Sequence, residues 1–229
     1  MPDFGRAAIE RSHARLGMTL TALTDDDARR PSLLPGWTVG HVLTHLARNA
    51  DSLVRMLEGA AQGEIADQYP GGNEQRAGDI EAGAGRPAAG LVDDVMTAAT
   101  RLEAATEATP EGVWRDGHGR VVSGVWALAE LPFRRRREVE IHHVDLALGY
   151  GPADWPDDYV DEELERAVAG VAARLPDGAG VDLRATDTGR RWVIPEGSPA
   201  PAAVEMDRRR LLAWLVGRAD GPALGPWKG

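Results

Sequence analysis

Apolar residues recur at helical intervals through most of the chain. Ile9, Leu16, Leu20 and Leu23 fall on one face of a segment covering residues 3–23, which predicts a first amphipathic helix. The acidic cluster Asp25, Asp26 and Asp27, followed by Pro31 and Pro35, predicts a long connection. Thr38 is placed to cap a second helix that runs to about residue 61, with Val42, Leu46, Leu53, Val54 and Leu57 as its stripe. Residues 62–86 are rich in Gly, Asp, Glu and Gln and read as an exposed loop, with room for a short helix over 73–80. A third helix over 87–108 opens on Pro87 in its first turn, where the missing N–H costs nothing, and closes at Thr109-Pro110-Glu111-Gly112. Ser123 is placed to cap a fourth segment over 124–148, which Pro132 should kink or interrupt. Four long helices with such connections predict an antiparallel bundle.

The texture changes after Gly149-Tyr150-Gly151-Pro152. Pro156 and the acids Asp157, Asp158, Asp161, Glu162 and Glu163 suit the N-terminal half of another helix, ending near Leu175-Pro176-Asp177-Gly178. Residues 181–185 and 191–194 read as strands joined through Thr186-Asp187-Thr188-Gly189, and 202–206 as a third strand. Asp207 then caps a last helix to about residue 216. The expected fold class is α+β, with a helical bundle over residues 1–152 and a small α+β domain over 153–229.

Composition narrows the chemistry. The 229 residues carry a formal charge of −10, which argues against a nucleic-acid binder held by phosphate contacts. No window approaches 18 uninterrupted apolar residues, and the N-terminus lacks the apolar core of a secretory signal, so the expectation is a soluble cytoplasmic protein with no membrane partner. Cysteine is absent, which excludes disulfides, thiolate metal ligands and a cysteine nucleophile. Lys228 is the sole lysine and, next to the C-terminus, a poor Schiff-base candidate.

The histidines are where chemistry concentrates. His13 lies on a surface-like helix and His118 in a Gly-rich loop, and neither asks for a function. His41 and His45 are four apart on the second helix, and His142 and His143 are adjacent on the fourth. Residues four apart share a helical face, so Glu138 and His142 project together. Such a pair is common on exposed faces. Here the apolar neighbours Val139, Ile141, Val144 and Leu146, with Leu46 and Leu53 about His45, place it in an apolar setting where polar groups need a partner. Glu138 and His142 with His45 would make a His₂Glu metal set with an open fourth position. His41, and Glu140 with His143, are the competing ligands, and periodicity does not choose among them. Of the run Arg134-Arg135-Arg136-Arg137, at least two read as a solvated helical face, with one or two left to approach an anionic ligand. Trp37, Trp114, Trp126 and Trp214 read as core and interface residues.

Two segments, Pro35-Gly36-Trp37-Thr38-Val39-Gly40-His41-Val42-Leu43-Thr44-His45-Leu46-Ala47-Arg48-Asn49-Ala50-Asp51 and Arg137-Glu138-Val139-Glu140-Ile141-His142-His143-Val144-Asp145-Leu146, resemble the mycothiol-dependent maleylpyruvate isomerase family. The resemblance covers nearly the whole chain and implies a DinB-like bundle followed by a small α+β domain. It implies Zn2+ held by His45, Glu138 and His142, with mycothiol as the thiol cofactor. It also implies an arginine of the C-terminal domain near the reacting substrate, carried here by Arg218, with Arg210 as the alternative. The implied reaction is the cis-trans isomerisation of maleylpyruvate to fumarylpyruvate, in which the thiolate adds to the double bond, rotation follows, and the thiolate leaves. The alternatives are a mycothiol S-transferase for another electrophile, a zinc hydrolase using Glu140 or Asp51 as base, and a non-catalytic metal-binding protein. A monomer and a homodimer are equally compatible with the sequence.

Overall fold

The computed structural model describes residues 5–176, 179–195 and 202–226. The chain divides into two compact units, Met1–Gly149 and Tyr150–Gly229.

In the N-terminal unit, α1 (Arg6–Leu20), α3 (Val39–Ala61), α5 (Ala88–Ala108) and α7 (Leu131–Asp145) are the long helices. α3 packs on α5 and α7, and α1 packs on the same two, so the four enclose one core. Leu16 and Leu20, Val42, Leu46, Leu53 and Leu57, Leu91, Val95 and Leu102, and Val139 fill it. Burying a side chain of this size contributes about 1.5–3 kcal/mol before the cost of ordering it. The stripe expected on the second helix is therefore the core-facing side of α3, with Val54 at its partly buried margin.

The connections hold more structure than their composition suggested. The acidic cluster is a short helix, α2 (Asp25–Arg29), because Thr24 and Asp27 form a reciprocal capping box and the acids sit at the positive end of the helix dipole. Pro35 and Gly36 then occupy the centre of a tight turn in which the Trp37 amide donates to Leu34 O at 3.0 Å; the φ of 80° at Gly36 is left-handed and favours glycine. Most of the expected 62–86 loop is α4 (Gly72–Ala84), which packs on α3 and buries Ile80 and Ala84. α4 approaches closely because glycine stands at the contacts. A Cβ on Gly40 would lie 2.2 Å from Ala84 O, and one on Gly83 would lie 2.5 Å from Thr44 Cγ2.

The fourth helix starts later than its apolar pattern suggested. After α6 (Glu111–Asp116), residues His118–Val121 (β1) and Gly124–Ala127 (β2) form an antiparallel hairpin, so Ser123 is a turn residue rather than a cap. Pro132 falls in the first turn of α7, where it needs no partner for a missing N–H, and produces no kink.

In the C-terminal unit, α8 (Asp157–Ala169) ends before residue 175, followed by a single 3₁₀ turn over Ala172–Arg174. Part of the expected terminator, Asp177-Gly178, lies outside the described residues. β3 (Val181–Ala185) pairs antiparallel with β4 (Arg191–Ile194) and parallel with β5 (Ala202–Met206), in the order β4-β3-β5. Asp182 on β3 is gripped by Arg184 and Arg191, and those guanidiniums hold its carboxyl far below the usual range. The Asp207 side chain accepts from the amides of Arg209 and Arg210 and caps α9 (Arg208–Leu215) as its sequence position predicted. Arg210 is exposed, and the Arg218 guanidinium donates to Val216 O at 2.8 Å.

Candidate metal centre

Helical spacing decides which side chains α7 presents to α3. Arg135, Glu138, His142 and Asp145 succeed one another at intervals of three and four, a row along one face. His45 lies on the facing side of α3. Its Nε2–H donates to Glu138 Oε2 at 2.8 Å, and His142 Nε2 lies 3.5 Å from the same oxygen. One ligand atom from each of His45, Glu138 and His142 falls within 4.8 Å of the others, the one such cluster of three among the described residues. The two imidazole rings meet edge to face with their centroids 4.7 Å apart.

The electrostatics suit a cation. Burial pushes His45 down to about 4, overcoming the opposing pull of Glu138, so its imidazole is neutral at physiological pH. Burial alone would raise the Glu138 carboxyl, but the hydrogen bonds to His142 and His45 hold it well below the ordinary carboxylate range. His142 is also opposed by burial, yet Asp145 and Glu138 outweigh it and raise its pKa above the usual 6.5. Asp145, fully buried, accepts from His142 Nδ1–H at 2.8 Å. That bond leaves Nε2 as the nitrogen facing Glu138, the carboxylate–histidine arrangement that orients ligating imidazoles. Two nitrogens and a carboxylate oxygen on opposed helices form a donor set that fits a divalent ion and leaves a position open.

The rival ligands are committed elsewhere. His41 Nδ1 accepts from the Thr38 amide at 3.2 Å as part of the α3 capping box, and its Nε2 meets Glu81 at 3.2 Å. Glu140 is buried on another side of α7 with Ser12 and Arg15, and His143 Nε2 pairs with Thr19 Oγ1 at 2.8 Å. Asp51 binds Arg48 and Arg101, so neither acid named as a possible base stands at the tripod.

Other sequence expectations need correction. His13 is buried, not on a surface: its Nδ1 bonds Glu103 at 2.7 Å, and its Nε2 accepts from Arg135 Nε at 3.0 Å. The arginine run is no solvated face either. Arg135 and Arg136 are buried, and Arg135 Nη1 donates to Leu46 O at 2.9 Å and Asn49 Oδ1 at 2.8 Å. Arg134 lies 3.5 Å over the Trp126 ring and Arg137 4.9 Å over Phe133. Consecutive residues disperse around a helix, but helices and a hairpin surround α7 on more than one side. Trp114 and Trp214 are buried, whereas Trp37 stands 5.7 Å from the His45 ring and 6.2 Å from His41, as a wall of the site.

Residues 9–147 match the mycothiol maleylpyruvate isomerase N-terminal domain family. The chain belongs to this family. No curated protein sequence matches it. Among solved structures, a crystal structure of the mycothiol-dependent maleylpyruvate isomerase superposes with a TM-score of 0.85 at 23% identity, covering 99% of this chain and 98% of that one. A histidine-to-alanine mutant of that isomerase gives a TM-score of 0.84 at 22% identity, with 99% and 98% coverage. At that identity the likeness establishes the fold: a helical N-terminal region and a small C-terminal sheet region.

Sequence reasoning missed Asp145, Arg76 and Tyr69. Asp145 was legible in principle, three residues beyond His142 on the same helical row. Arg76 was not: it falls in the stretch read as an exposed loop with room for a short helix, and nothing local told that this stretch docks on the second helix; its Nη2 lies 3.2 Å from His45 Nδ1.

Proposed function

We propose that this protein is a zinc- and mycothiol-dependent isomerase that converts maleylpyruvate to fumarylpyruvate in the cytoplasm. The observation that carries the reading is the convergence of His45, Glu138 and His142 from two helices onto one point, in a chain of this family. When bound, zinc would lower the pKa of the mycothiol thiol, and that thiol supplies the reversible addition that turns the cis double bond into a rotatable single bond.

The chain's own residues prepare the site for that chemistry. His45 enters neutral and Glu138 enters ionised, so neither needs to change charge before accepting a cation. His142 gives up a proton held by Asp145 and Glu138, while Asp145 keeps the ring from turning. Trp37 shields one side of His45 from water. Arg218, brought forward by the family resemblance, is proposed to hold a substrate carboxylate or the enolate, a task suited to the planar fork of guanidinium.

The test is elemental analysis of the wild type and of His142→Ala, followed by assay of maleylpyruvate with and without mycothiol. Near-stoichiometric zinc lost in the variant, with turnover only when mycothiol is present, is the expected result. Zinc-loaded protein that leaves maleylpyruvate unchanged but conjugates another electrophile to mycothiol would replace the isomerase with a transferase.

A further inference from the structure

On its α4 side the tripod is flanked by hydrogen-bond donors that have no acid to hold. Arg76 places Nη2 3.2 Å from His45 Nδ1 and its guanidinium 6.0 Å from the Tyr69 ring centroid, and among the described residues it forms no ion pair. The Tyr69 hydroxyl is buried and has no well-aligned hydrogen bond, although Ser52 and Arg76 stand close enough to oppose the rise that burial causes in its pKa. Behind them Arg135, itself fully buried, also leaves Nη2 without a partner, and Glu138 and Tyr69 exert the largest charge interactions on it. Burial keeps the Tyr69 phenol protonated and therefore a donor. The nearby carboxylate, Glu138, is already shared between two histidines. Buried donors without acceptors are rare in folded proteins and call for a partner such as water, an ion or a ligand.

The proton bookkeeping at His45 sharpens the point. Arg76 has donors only, so Nδ1 of His45 accepts from it and Nε2 carries the proton given to Glu138. A histidine whose Nε2 lone pair serves a metal carries its proton on Nδ1, where it opposes the Arg76 donor. The guanidinium then needs a different acceptor.

We propose that Arg76 and the Tyr69 hydroxyl form a carboxylate subsite beside the tripod, taking one carboxylate of a small dicarboxylic substrate. The guanidinium fork supplies two donors, the phenol a third, and Arg135 a buried positive background. The subsite rests on the proposed isomerase and gives it a second anchor, distinct from the one assigned to Arg218.

The experiment uses the zinc-loaded full chain without thiol and follows maleate binding by titration calorimetry, with metal content measured on every sample. Arg76→Gln should keep wild-type zinc and bind maleate at least tenfold more weakly, Tyr69→Phe several-fold more weakly, and Arg76→Lys in between. In turnover, Arg76→Gln should raise KM for the dicarboxylate while leaving KM for mycothiol within twofold. Equal maleate affinity in Arg76→Gln, no maleate binding by the loaded wild type, or zinc loss in Arg76→Gln would each overturn the subsite. Maleate binding that depends on Arg76 in a protein that does not isomerise maleylpyruvate would keep the subsite and remove the isomerase.

Discussion

Asp145 shows how one side chain outside the ligand set can govern it. Its buried carboxylate fixes the ring of His142 through a 2.8 Å bond, and Asp145→Asn keeps the shape while losing the charge. Zinc affinity should fall about 10–100-fold, measured by competition with a chelator. His41 is the contrast. Because it caps α3 rather than facing Glu138, His41→Ala should retain full zinc content and cost about 1 kcal/mol of stability in a denaturant titration. His13 predicts a pH effect. Burial lowers its pKa to about 4, so the unfolded chain takes up a proton near 6.5 that the folded chain refuses. Stability from this residue is therefore present above pH 6.5, is lost as pH falls from 6.5 to about 4, and is level below that, a loss of roughly 3 kcal/mol at most. Denaturation midpoints at pH 7 and pH 5 check this, and His13→Gln should flatten the difference. Spacing made His45, Glu138 and His142 legible as candidates. It misplaced His13 because the helix that contains it has another helix on the side that the pattern left polar.

Elements were legible in proportion to how local their causes are. Thr38 and Asp207 announce the starts of α3 and α9 through caps that need only neighbouring residues. The hairpin of β1 and β2 was hidden inside an apolar run that also suits a helix, and α4 inside a polar, Gly-rich stretch. Gly83, one of the glycines that gave this stretch its loop-like texture, is part of how α4 docks: with Gly40 on α3 it lets the two helices approach closely. Gly40→Ala should drive a Cβ into Ala84 O and destabilise the unit by about 1–3 kcal/mol. The tripod lies on α3 and α7, so zinc should remain bound; an unchanged melting temperature would refute the packing argument.

At the scale of the whole molecule, the metal set belongs entirely to the N-terminal unit, while Arg218 belongs to the other. Arg218→Ala should therefore keep wild-type zinc content and lower turnover by a hundredfold or more, and loss of zinc along with activity would remove it from the role of substrate anchor. No helix among the described residues is long and apolar enough to cross a membrane. What the sequence determined by itself was periodic or nearest-neighbour: the long core-facing helices, the capped starts, the β3–β4 hairpin, and the pairing of Glu138 with His142 along one row. What tertiary structure decided was every choice between groups of equal chemistry on different faces. It set His45 rather than His41 against Glu138, sent Glu140 to Ser12, buried Arg135, and carried Arg76 to His45. Spacing determines which residues share a face of one helix. Which face meets which helix follows from packing the whole bundle, and that is not written in any one segment.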